Sequence, residues 1–129
     1  MASFPLTTLT ILVALLILFG FSIVAGRARM TYNVPAPQAG GHPEFDKRNR
    51  VHLNTMEQIV LFLPAIALAA PVLGDAITAM VGLVWCIGRL LYARSYYVDP
   101  AKRSLGFALT MLPTLVLIGV AAWGALRSL

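Results

Sequence analysis

Only one cysteine, Cys86, occurs in the 129 residues, inside the apolar run Leu83-Val84-Trp85-Cys86-Ile87. A single thiol excludes an internal disulfide framework, and the chain shows no metal-ligand spacing. Cys86 reads as a small buried thiol. Charge is scarce as well, at 12% of the residues, with ten Lys and Arg against five Asp and Glu. Internal repeats, heptad runs and low-complexity segments are lacking, which leaves one domain over residues 1–129.

What fills the chain is apolar. Hydrophobic residues make up 59% and the mean hydropathy is +0.81, whereas soluble domains are typically about 45–50% apolar. Four apolar stretches, near Leu6–Ala25, Val51–Val72, Ala76–Tyr96 and Leu105–Leu126, each have the roughly 20 residues that cross about 30 Å of hydrocarbon at 1.5 Å per residue. The fold class expected is therefore all-α, a four-helix bundle integral to a membrane. The first stretch lacks a basic leader and is longer than the apolar core of about 7–15 residues in a signal peptide, so it reads as a retained helix.

A net charge of +5 would point a soluble protein toward nucleic acid, but here the basic residues sort by loop. Arg27, Arg29, Lys47, Arg48 and Arg50 fall in the first connection and Lys102 and Arg103 in the third, while the second holds only Asp75. The positive-inside pattern then places loops one and three in the cytoplasm and both termini opposite, with no nucleic-acid role. The membrane would be a bacterial inner membrane or the endoplasmic reticulum. Thr31–Gly41 reads as the one Pro/Gly-rich linker. Pro64 and Pro113 fall inside helices two and four, where a kink can open a cleft. Asp99-Pro100 is a helix start signal, which extends helix four to about 100–126 and puts Arg103 in its first turn.

Polar groups run straight into the second apolar stretch. Arg50, Asn54 and Glu57 stand at i, i+4 and i+7, on one helical face, although an ionised side chain at membrane depth costs roughly 2.5–3.5 kcal/mol. Arg89, Tyr92 and Tyr96, at i, i+3 and i+7, form a second stripe at the same level. With Arg103 they imply a pocket of three arginines and one carboxylate. Arginine forks suit carboxylates, and Glu57 suits an ammonium group. No Ser–His pair or reactive cysteine lies on these faces, so any nucleophile must arrive with the ligand. A thiol fits, because a nearby arginine favours thiolate over thiol. His52 is offset from the face, and Arg27, Arg48, Arg94 and Lys102 read as headgroup anchors.

The segments Glu44-Phe45, Arg50-Val51-His52-Leu53-Asn54-Thr55-Met56-Glu57, Gly88-Arg89-Leu90-Leu91-Tyr92-Ala93-Arg94-Ser95-Tyr96 and Lys102-Arg103-Ser104-Leu105-Gly106 resemble the MAPEG family, the membrane-associated proteins in eicosanoid and glutathione metabolism. The likeness covers about residues 20–126 and is to the branch of microsomal glutathione transferases 2 and 3 and leukotriene C4 synthase. It implies a homotrimer with glutathione, as co-substrate, bound in a U shape at each subunit interface. By the same resemblance Arg50, Asn54, Glu57, Arg89, Tyr92 and Tyr96 bind glutathione, and Arg103 stabilises its thiolate. An arginine after helix one, Arg29 or Arg27, would come from the neighbouring subunit. His52 stands where relatives often carry glutamine, and Gln58 where some carry tyrosine.

The activity implied is conjugation of glutathione to lipophilic electrophiles arriving from membrane lipid, with reduction of lipid hydroperoxides as a second activity and no metal. One alternative is a non-catalytic lipid-binding scaffold of the same fold, like the five-lipoxygenase-activating relative. Another is a small transporter, which would normally carry a carboxylate in helix one, yet Phe4–Gly26 contains no ionisable residue.

Overall fold

A computed structural model describes residues 3–129, and Met1 and Ala2 of the expected domain lie outside the described residues. Four helices form the molecule: α1 (Pro5–Thr31), α2 (Pro43–Leu73), α3 (Asp75–Val98) and α4 (Ser104–Arg127), with a one-turn 3-10 helix, Pro100–Lys102, ahead of α4. Each is long and apolar enough to cross a bilayer, the last counted together with its 3-10 turn, and there is no strand among the described residues. This is an all-α, multi-pass membrane bundle.

Three boundaries depart from the apolar pattern, the first being the end of α1, which runs on past Ala25 to Thr31. Helix α2 starts at Pro43 rather than Val51. Proline occupies the first helical position, the His42 Nδ1 accepts from the Glu44 N–H at 3.1 Å, and Glu44 and Asp46 sit in the first turn, where the helix dipole favours acids. The helix therefore begins among charged residues, and apolarity marks only its deeper portion. At the other connection, the Asp99 carboxylate accepts from the Ala101 N–H at 3.0 Å, as an N-cap should, but the turn it caps is the 3-10 helix. Arg103 is thus at the N-cap of α4, not in its first turn. Helices α2 and α4 continue through Pro64, Pro71 and Pro113.

Helices α2 and α3 each pack against the other three, while α1 and α4 have little contact with each other. Phe62 and Trp85 stack at 4.3 Å between ring centroids, within a core that includes Ala14, Ile59, Ile66, Cys86 and Leu117. Glycines set the spacing of α3 and α4. A Cβ on Gly88 would lie 2.8 Å from the Leu109 backbone, and one on Gly106 would meet the backbone of Tyr92. Large apolar side chains such as Leu16, Phe19, Val60 and Leu68 remain exposed, as lipid-facing surfaces require.

At the end away from the basic loops, Asp75 joins two helices. Its carboxylate accepts from the Leu6 and Thr7 N–H groups at 2.9 and 2.8 Å, so a residue of α3 caps the start of α1. These are two of the donors that a helix N-terminus leaves unpaired. Asp75→Ala is expected to lower the thermal midpoint in detergent, with the basic end of the bundle unaffected.

Candidate functional site

One face of α2 presents Arg50, Asn54, Glu57 and Gln58 to a cleft of about 730 Å³, which α3 lines with Tyr92 and Tyr96 and α4 lines with Ser104, Phe107 and Ala108. Arg103 completes the wall from the junction before α4. The helical spacings explain the convergence. Positions i, i+4 and i+7 on α2 share a face, and the tight α3–α4 crossing at Gly106 and Tyr92 carries Arg103 to the level of the tyrosines.

Within the cleft, Arg50 Nη1 donates to Glu57 Oε1 at 3.1 Å, and both side chains are about half exposed. An exposed pair of this kind is worth roughly 0–1 kcal/mol, so a ligand carrying both charges can replace it at little cost. Arg103 Nη1 donates to the Pro100 carbonyl at 2.9 Å, which orients the guanidinium. The Tyr92 ring lies 5.5 Å from that of Tyr96 and 6.5 Å from that of Phe107, giving the cleft an aromatic wall.

Arg89 departs from the expectation, and Arg29, expected to serve a neighbouring subunit's cleft, does not line that of its own chain. Arg89 is fully buried and does not line the cleft. It stands behind it, donating from Nη1 to Asn54 Oδ1 at 2.7 Å, with its guanidinium 4.2 Å from the Tyr92 ring centre. Two arginines, not three, therefore line the cleft. Arg29 also lies outside it. Its Nη1 donates to the carbonyls of Val34, Pro35 and Gln38, the last at 2.6 Å, and its guanidinium sits 4.6 Å over Phe45. Within one chain it closes the first loop, and Arg27 is exposed.

Sequence reasoning did not place Gln58, Ser104, Phe107 and Ala108 in the site. Gln58 shares the Asn54 face one turn on, so helical periodicity could have found it. The α4 residues give no such signal, because their approach depends on the crossing at Gly106. His52 is half-buried and outside the cleft. A separate apolar groove of about 470 Å³ runs between α2 and α4, lined by Val60, Leu61, Pro64, Leu68, Ile118 and Ala122 among others. Among the described residues no three His, Cys, Asp or Glu side chains gather as a metal-holding group.

Chemically, the cleft offers two guanidinium groups, one carboxylate, two carboxamides and two phenols beside apolar side chains. Its guanidinium groups suit an anionic ligand, and its carboxylate a cationic group on the same ligand.

The family model described as MAPEG family matches residues 6–123. An uncharacterized protein of Synechocystis sp. is 43% identical over 96 residues, covering 74% of this chain and 70% of that protein. Microsomal glutathione S-transferase 2 of Homo sapiens is 33% identical over 101 residues, covering 77% and 69%. Leukotriene C4 synthase of Rattus norvegicus is 31% identical over 121 residues, covering 94% and 80%.

Proposed function

Because the chain belongs to the MAPEG family and brings polar residues of three helices to one basic cleft, we propose that it is a membrane glutathione transferase acting on lipophilic electrophiles. The observation that carries this is the convergence of Arg50, Asn54 and Glu57 from α2, Tyr92 and Tyr96 from α3, and Arg103 before α4 on one cavity. Relatives named as glutathione S-transferases support the choice of thiol.

Arg50 holds a glutathione carboxylate, Glu57 its ammonium group, and Asn54, Tyr92 and Tyr96 the remaining polar atoms. Arg103 stands beside the sulfur and stabilises the thiolate. The sulfur forms a bond to the electrophilic carbon, and the leaving group departs with its electron pair. With a lipid hydroperoxide the thiolate attacks oxygen instead, and a second glutathione completes reduction to the alcohol, glutathione disulfide and water. Phe107 and Ala108 offer the electrophile an apolar approach from lipid.

The working unit is a homotrimer in which Arg29 reaches a neighbouring copy's cleft, and the basic end faces the cytoplasm. Residues 1–129 act as one such domain. The exposed apolar helix faces are compatible with both lipid and subunit contact.

The test is turnover by the detergent-purified protein of glutathione with a chlorinated nitrobenzene and with a lipid hydroperoxide. Saturable activity in at least one assay is expected. Failure in both, with no heat of glutathione binding, would overturn the reading, and fatty-acid binding alone would mark a scaffold. Arg50→Ala is expected to raise the glutathione KM by roughly 10- to 150-fold with little change in kcat, since it removes a charged hydrogen bond worth about 1.5–3 kcal/mol in ground and transition states alike.

A further inference from the structure

Arg89 is the least accommodated group in the bundle. It is fully buried, its Nε and Nη2 have no hydrogen-bond partner, and it makes no ion pair among the described residues. A buried charge without a counter-ion is costly, so the one hydrogen bond it makes besides its contact with the Tyr92 ring face, Nη1 to Asn54 Oδ1 at 2.7 Å, needs an explanation.

Arginine has donors only and no acceptor. A carboxamide facing it must therefore turn its oxygen inward, which leaves the Nδ2 donor of Asn54 for the cleft that Asn54 lines. Asn54 is itself buried, 5% exposed, so it cannot easily turn round. The cleft wall is thereby set as a donor, in front of an uncompensated positive charge. Only an anion or a carbonyl oxygen is welcome there.

We propose that Arg89 is a positioning residue which never touches glutathione. Through Oδ1 it fixes Asn54 so that Nδ2 reads a carboxylate or carbonyl oxygen of the bound tripeptide. This rests on the glutathione reading above and assigns Arg89 a role distinct from that of Arg50 and Arg103.

Asn54→Asp separates the possibilities. It retains the shape of the side chain and gives Arg89 a carboxylate to pair with, but turns an acceptor toward the cleft. The thermal midpoint of the full-length protein in detergent is expected to rise, while the glutathione KM increases by roughly tenfold or more and kcat at saturation falls much less. Asn54→Ala and Arg89→Met are each expected to raise KM about tenfold, and the double variant no more than either alone, because both remove the same oriented donor. A merely structural Arg89 would instead lower the midpoint and multiply with Asn54→Ala. Multiplicative effects, or wild-type KM in Asn54→Asp, would overturn the proposal. If Arg89→Met does not fold, Asn54→Asp decides alone. If wild-type protein binds no glutathione by calorimetry, the functional reading fails and the ligand role of Asn54 with it. The Asn54→Asp midpoint still reports separately on the Arg89 contact.

Discussion

Arg103→Ala should lower kcat for glutathione conjugation by about 10²-fold, the effect of removing one donor aimed at developing charge, while glutathione still binds through the rest of the cleft. The free thiol titrates near 8.5, and an opposite charge within hydrogen-bonding range lowers such a value by about 1–3 units. The role proposed for Arg103 is to shift the bound sulfur toward thiolate at neutral pH. Without it the thiol pKa returns upward, so the acid limb of the pH–rate profile moves to higher pH by about 1–3 units and activity partly recovers in alkali. Arg103→Lys retains the charge but not the fork, and is expected to fall between the two. The anchoring of Nη1 on the Pro100 carbonyl makes this arginine a preset charge, not one recruited by the ligand. An unchanged pH profile in Arg103→Ala would remove it from the chemistry.

Gly106→Ala is the second large effect, and it acts on architecture. A methyl group at Gly106 would lie 2.5 Å from the Tyr92 Cα, and closer still to its nitrogen. Backbone cannot swing aside as a flexible side chain can, so α4 must move off α3. Overpacking of this kind costs about 1–3 kcal/mol, and here it also withdraws Arg103 and Ser104, which lie less than one helical turn before Gly106 in the chain, from the cleft. Both a lower thermal midpoint and a loss of kcat are expected. Gly119→Ala is the control, because nothing lies within 4 Å of a Cβ at that position, and neither quantity should fall, alanine being the better helix former. Equal behaviour of the two variants would show that the crossing at Gly106 does not hold the site together.

Much of this was legible in the order of residues, and the exceptions have physical causes. The four crossings could be read because lipid demands long apolar runs, and the polar faces of α2 and α3 because helical spacing puts Arg50, Asn54 and Glu57, or Arg89, Tyr92 and Tyr96, in line. The start of α2 at Pro43 was missed because a helix can extend past the membrane on caps and dipole alone. Arg89 was grouped with the ligand-facing arginines because periodicity gives a direction around its own helix, not the depth of the wall in front of it. Asn54 fills that depth. Phe107 and Ala108 depend on how closely α4 approaches, which two glycines permit and no pattern in α4 announces. Asp75 capping α1 is a contact between helices that local sequence cannot show.

The most direct measurement is ultraviolet difference absorption of the thiolate when glutathione is added to the purified protein at neutral pH. A thiolate band should appear and saturate with glutathione, be absent with the S-methyl derivative, and be lost in Arg103→Ala while calorimetry still detects binding. Glutathione binding without a thiolate band, or a band undiminished in Arg103→Ala, would contradict the assignment of Arg103 as the group that activates the thiol.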